Sequence, residues 1–128
     1  MRQRCACLVR TATNALPIIY LAPAGSRSGL RVGLAARNAA KLGPLAAETG
    51  ATTFAVDAAD PAGVARLFEP VDAELGEPDV VVYNAGARAP GPLAELDPEA
   101  IRSAIGITAF GGFLVAQQAA RRMLPRGK

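Results

Sequence analysis

Asp79-Val80-Val81-Val82-Tyr83-Asn84-Ala85-Gly86 joins an apolar run of strand length to an Asn-Ala-Gly chain reversal. A continuous apolar run bounded by turn residues is the pattern of a strand buried on both faces of a parallel sheet. The pattern predicts a strand over 79–83 whose carboxyl end meets a turn at Asn84. Working outward, strand and helix signals alternate. Arg31–Ala36 reads as a strand, and Asn38 is placed to cap a helix over 39–49 that Gly50 closes, with Gly43-Pro44 breaking or kinking it. Residues 52–56 form the next strand, ending at Asp57. Asp60-Pro61 then opens a helix carrying Val64, Leu67, Phe68, Val71 and Leu75 on one face, with Pro70 as an interruption. After an Ala/Gly/Pro-rich loop over 84–96, Asp97-Pro98-Glu99 starts a long helix, 98–124, with a small-residue face and a basic end at Arg121, Arg122 and Arg126. This alternation predicts an α/β fold: a partial, doubly wound, Rossmann-like parallel sheet of about three strands with flanking helices. In such sheets ligands bind at the carboxyl ends of the strands.

Composition narrows the chemistry. The chain has 128 residues, 51% of them hydrophobic and 20% charged, which suits one globular domain and leaves no room for a second. Histidine is absent, so Ser-His-Asp and Cys-His catalysis and most zinc sites are excluded, and no metal site is expected. Apolar runs fall short of the roughly 20 residues that span a bilayer, so no membrane association is expected. The net charge of +3 is unevenly spread: residues 1–47 hold seven basic residues and no acid, while 48–98 hold ten acids against Arg66 and Arg88. Because the basic residues are not gathered among base-reading side chains, no nucleic-acid role is expected. Cys5 and Cys7 are too close for an easy disulfide and read as free thiols in a reducing, cytoplasmic setting.

Residues 1–30 differ from the rest. Arg2, Arg4 and Arg10 precede an apolar run over 16–22, broken by Pro17. The segment imitates a targeting sequence or is a non-homologous, mis-started leader. It is expected to be irregular or poorly ordered, with the α/β domain occupying 31–128.

From about Leu30 onward, the strand ending in Arg37, the strand ending in Asp57, the Asn-Ala-Gly turn and the long helix together resemble the middle of a short-chain dehydrogenase/reductase. That resemblance implies an oxidoreductase related to NADP(H)-dependent carbonyl/alcohol enzymes. Arg37 and Asn38 stand where the family selects its cofactor. With no acid there to hold the ribose hydroxyls of NAD, an Arg suits the 2′-phosphate of NADP. Asp57 and Ala58 match the family's adenine-binding pair. Asn84, Ala85 and Gly86 match its Asn-Asn-Ala-Gly, with Tyr83 replacing the first Asn. Thr108 in Thr108-Ala109-Phe110-Gly111-Gly112-Phe113 occupies the place of the catalytic Asn that seats a proton-relay water. The long helix is the family's usual self-association element, so a homo-oligomer through 98–124 is implied.

The sequence departs from the family at both catalytic ends. Ala24-Gly25-Ser26-Arg27-Ser28-Gly29-Leu30-Arg31 keeps two glycines of the phosphate-binding loop and has Arg31 in place of the third. A strand over 18–22 could not cross over to Arg31, because parallel neighbours need a dozen or more residues between them. Neither Tyr20 nor Tyr83 has a Lys four residues on, so the family's Tyr-x-x-x-Lys acid is not found. Two readings follow: a truncated short-chain dehydrogenase/reductase without activity of its own, or a non-catalytic nucleotide-binding or oligomerisation module built on the 98–124 helix.

Overall fold

A computed structural model of the chain describes residues 5–10, 27 and 29–127. Four parallel strands form one sheet: β1 (Cys5–Arg10), β2 (Arg31–Ala36), β3 (Thr52–Ala55) and β4 (Val80–Asn84), in the order β3-β2-β1-β4. The expected three strands are present, and β1 lies between two of them. In the β1–β2 ladder Cys5 is opposite Arg31 and Val9 opposite Ala35; on β1's other side Ala6 is opposite Val80 and Arg10 opposite Asn84.

Part of the supposed leader is therefore the strand that joins the two halves of the sheet. A first strand at 18–22 would lie too close to Arg31 for a parallel crossover. Between β1 and β2 lie residues 11–30, long enough for a parallel crossover. The 16–22 run falls outside the described residues. Gly29, at φ +75°, leads through Leu30 straight into the amino end of β2, the rim opposite Arg37. That position is wrong for a phosphate cradle at the carboxyl rim.

Helices cover both faces. On one side α1 (Gly43–Thr49), preceded by a 3-10 turn at Ala39–Leu42, covers Val32, Leu34, Ala36 and Val82 with Leu42 and Leu45. The expected break at Gly43-Pro44 is the junction between these two helical forms. Asn38 holds the cap position in an extended backbone, but its side chain makes no capping hydrogen bond.

On the opposite face α2 (Pro61–Leu75) and α4 (Gly111–Met123) pack over Ala35, Phe54, Val81 and Tyr83. Asp60 caps α2 by accepting from the Ala62 N–H at 3.0 Å. The helix runs through Pro70 instead of stopping there. Pro70 removes only the bond to the carbonyl of Arg66, on the exposed side where water can replace it, while Val64, Leu67, Phe68, Val71 and Leu75 on the buried side hold the helix down.

The predicted long helix is observed as Pro98–Arg126, with α3 (Pro98–Ile105) joined to α4 by a π-turn at Gly106–Phe110. Its length and mean hydropathy of 1.3 would suffice for a membrane span. Here it packs on α2 and β4, and its basic end is paired within the domain: Arg122 Nε lies 2.7 Å from Asp72 Oδ2, and Arg126 Nε 3.1 Å from Glu77 Oε2. The Arg122 guanidinium also lies over the Phe68 ring, 4.7 Å from its centre.

β4 is half-buried, with Val80 45% exposed, and not buried on both faces as its composition predicts. It ends the described sheet, so one of its edges has no strand beside it.

Phe68 is fully buried at the centre of the larger core. Phe68→Ala is expected to cost about 3–5 kcal/mol in chemical denaturation, a large share of the roughly 5–15 kcal/mol that holds a domain together.

Candidate functional site

The order β3-β2-β1-β4 reverses the direction of winding at β1, because the chain moves outward to β2 and β3 and then returns to β1's other side as β4. A crevice opens at such a reversal, outside the carboxyl ends of the strands. Arg37 follows β2, Asp57 lies just past β3, and Asn84 ends β4 beside Arg10. Their tips share one rim, and Val56 N–H donating to Ala36 O at 3.1 Å ties the ends of β2 and β3 together.

On the β3 side of that rim lies a cleft of about 530 Å³ lined by Arg37, Val56, Asp57, Asp60, Arg66 and Leu67 among others. Arg37 is exposed and has no ion-pair or hydrogen-bond partner among the described residues. Asp57 folds one carboxylate oxygen back to accept from the Ala59 N–H at 3.0 Å, an Asx turn that fixes the side chain beside the cleft. Asn38 is exposed and does not line the cleft. Ala58 is buried, its carbonyl against α4, where a Cβ on Gly111 would fall 2.7 Å from it.

The second group of predicted residues sits where the β4 turn meets the π-turn. Asn84 has a buried side-chain nitrogen with no hydrogen-bond partner among the described residues. Ala85 is buried, and Gly86 leaves space next to Thr108, whose hydroxyl would be 3.8 Å from a Cβ there. Thr108 Oγ1 accepts from the Ala87 N–H at 3.1 Å and lies 3.4 Å from the Ala87 carbonyl, to which it donates. The hydroxyl's one proton and one of its two lone pairs are thus engaged by the backbone of the turn. Thr108 ties helix to loop, and its proton, given to the Ala87 carbonyl, is not offered to a relay water.

Tyr83 has a role that the sequence reading recorded only as a departure from the family pattern. In the π-turn the Gly111 N–H donates to Gly106 O, bypassing the carbonyl of Ile107 that an α-helix would assign to it. The Tyr83 hydroxyl donates to that carbonyl. Gly111 and Gly112 make the approach possible: a Cβ at either would press on the Tyr83 ring or hydroxyl. The predicted small-residue face therefore serves β4 of the same chain. Burial, then the charge of Asp57, raises the Tyr83 pKa above the ordinary tyrosine value.

The adenosine end of a dinucleotide fits these residues: a guanidinium without a partner among the described residues, a fixed carboxylate in the same cleft, and, across β1 at the tip of β4, an amide nitrogen likewise without one. The pyrophosphate end does not fit the family pattern, since the sequence after β1 contains no glycine until Gly25.

The enoyl-(acyl carrier protein) reductase family model matches residues 20–128. The chain is 34% identical over 112 residues to D-threitol dehydrogenase of Mycolicibacterium smegmatis, covering 84% of this chain and 43% of that protein. It is also 34% identical over 115 residues to a short chain dehydrogenase/reductase of Macrophomina phaseolina, covering 84% of this chain and 66% of that one. Among solved structures, actinorhodin polyketide ketoreductase with NADPH superposes with a TM-score of 0.87 at 26% identity, over 98% of this chain and 50% of the other. A short-chain type dehydrogenase/reductase from Mycobacterium marinum gives 0.87 at 27% identity, over 98% and 53%. The chain thus spans about half the length of these structures.

A raised tyrosine pKa means that the folded state holds the proton more tightly than the unfolded state. Tyr83 therefore stabilises the fold fully below its unfolded pKa, about 10, and that contribution is lost as pH rises through the higher folded value. In an ultraviolet titration, the difference between wild type and Tyr83→Phe should show a phenolate appearing later in the folded than in the urea-unfolded protein; coincident curves would contradict this.

Proposed function

This chain belongs to the short-chain dehydrogenase/reductase family, and from that premise we propose that it is the cofactor-selecting half of an NADP(H)-dependent carbonyl/alcohol oxidoreductase, inactive by itself. The supporting observation is the exposed Arg37 at the end of β2, without a partner among the described residues and sharing a cleft with Asp57. An Arg in that place offers charge-assisted hydrogen bonds to a 2′-phosphate. Asp57 would take the adenine, and Asn84 with Gly86 the neighbouring ribose. The bound cofactor would supply or accept hydride.

The accompanying proton has no evident donor here. The Tyr83 hydroxyl is committed to Ile107, the Thr108 hydroxyl to Ala87, and no Tyr-x-x-x-Lys occurs in these 128 residues. The small carbonyl or alcohol substrate would be met by groups outside this half, in a cytoplasmic, NADPH-supplied setting.

Fluorescence titration tests the proposal. NADPH is expected to bind at least about tenfold more tightly than NADH, and Arg37→Gln to weaken NADPH alone by about ten- to a hundredfold, the worth of a charge-assisted hydrogen bond. Equal affinities, or turnover of carbonyl substrates by this chain alone, would refute it.

A second reading is self-association through the long helix, favoured by a specific surface. Phe110 and Phe113 stack with ring centres 6.3 Å apart while 45% and 57% exposed, and the same helix, with β4, lines an apolar groove of about 330 Å³ through Val81, Tyr83, Val115, Ala119 and Met123. A second copy of the chain would cover that surface. Sedimentation should then show a concentration-dependent dimer that Phe113→Asp dissociates; a monomer at all concentrations would exclude it.

A further inference from the structure

Arg66 lies in the second turn of α2, yet its guanidinium reaches back to the start of that helix: Nη2 is 3.7 Å from Oδ2 of Asp60, the N-cap residue. Helical side chains lean toward the N-terminus. Because α2 follows β3, its start stands at the carboxyl rim of the sheet, beside the end of β2 that carries Arg37. The two guanidinium side chains line the same cleft, Arg37 from the strand side and Arg66 from the helix side.

The contact that occupies Arg66 is loose. At 3.7 Å, with the Arg and Asp side chains 68% and 48% exposed, it is an exposed ion pair of the kind that contributes little. Asp60 is itself held in place, one oxygen accepting from the Ala62 N–H and the other lying over Gly63, where a Cβ would be 2.7 Å away. Arg66 can therefore leave Asp60 at small cost, while Asp60 stays in place. A phosphate dianion entering between two guanidinium groups would gain charge-assisted, bidentate hydrogen bonds that the present contact lacks.

We propose that Arg66 is a second specificity-determining residue, which clamps the 2′-phosphomonoester of the cofactor against Arg37, with Asp60 as its competitor in the free protein. This rests on the NADP(H) reading above.

The test is binding of NADPH, NADH, 2′-phospho-AMP and 5′-AMP to the full chain and two variants. Arg66→Gln should weaken NADPH and 2′-phospho-AMP by about tenfold while NADH and 5′-AMP stay within about twofold. Asp60→Asn keeps a capping side chain but removes the competing charge, and should tighten the two phosphorylated ligands by about two- to threefold. Arg66→Gln weakening all four ligands equally would place Arg66 on the adenine or ribose and overturn the clamp, as would unchanged NADPH affinity; the NADP(H) reading would survive both. Wild-type protein binding NADPH no better than NADH would defeat both proposals together.

Discussion

Two parallel ladders on either side of Cys5–Arg10 hold this molecule in one piece. Without that strand, β2 with β3 and β4 with the long helix would be joined chiefly through α2, since no described ladder joins β2 to β4. Isolated two-stranded units bury too little to be stable in water. The packing of α2 and α4 over the sheet, the crevice at the winding reversal, and the approach of Arg37, Asp57 and Asn84 to one rim all follow from β1 being in the middle.

Much of this was legible from residue 31 onward because local signals agreed with the tertiary result. The Asp60-Pro61 and Asp97-Pro98 starts, the apolar face from Val64 to Leu75 and the Val80-Val81-Val82 run each specify one answer. β1 was hidden for a physical reason. Cys5-Ala6-Cys7-Leu8-Val9 is a short apolar run between Arg4 and Arg10, and ahead of the 16–22 run these arginines read as the basic start of a targeting peptide; only pairing partners distant in sequence distinguish the two. Pro70 misled in the opposite direction, since a proline on the exposed side of a helix loses a bond that water replaces.

The site was legible in its residue types and less so in its couplings. Arg37 and Asp57 could be placed by register, and the structure brings them to one cleft. That Thr108 binds the Ala87 backbone, and that the Tyr83 hydroxyl fills the carbonyl bypassed by a π-turn, depends on one extra residue of helical advance that periodicity over 98–124 does not reveal. The glycines at 111 and 112 are the clue in hindsight: a helix keeps two adjacent glycines, at a cost in propensity, when something large must come close.

The central position of β1 also shapes how the chain is made. Of the described strands this one is made before its partners, one of which begins at residue 31 and the other only at residue 80. Until residue 80 is made the middle of the sheet has an empty flank, and the contact that closes it joins Ala6 to the distant Val80. Long loops of this kind slow folding and prolong the exposure of unpaired strands. Nascent chains of this protein should therefore depend on holdase chaperones until Asn84 has emerged.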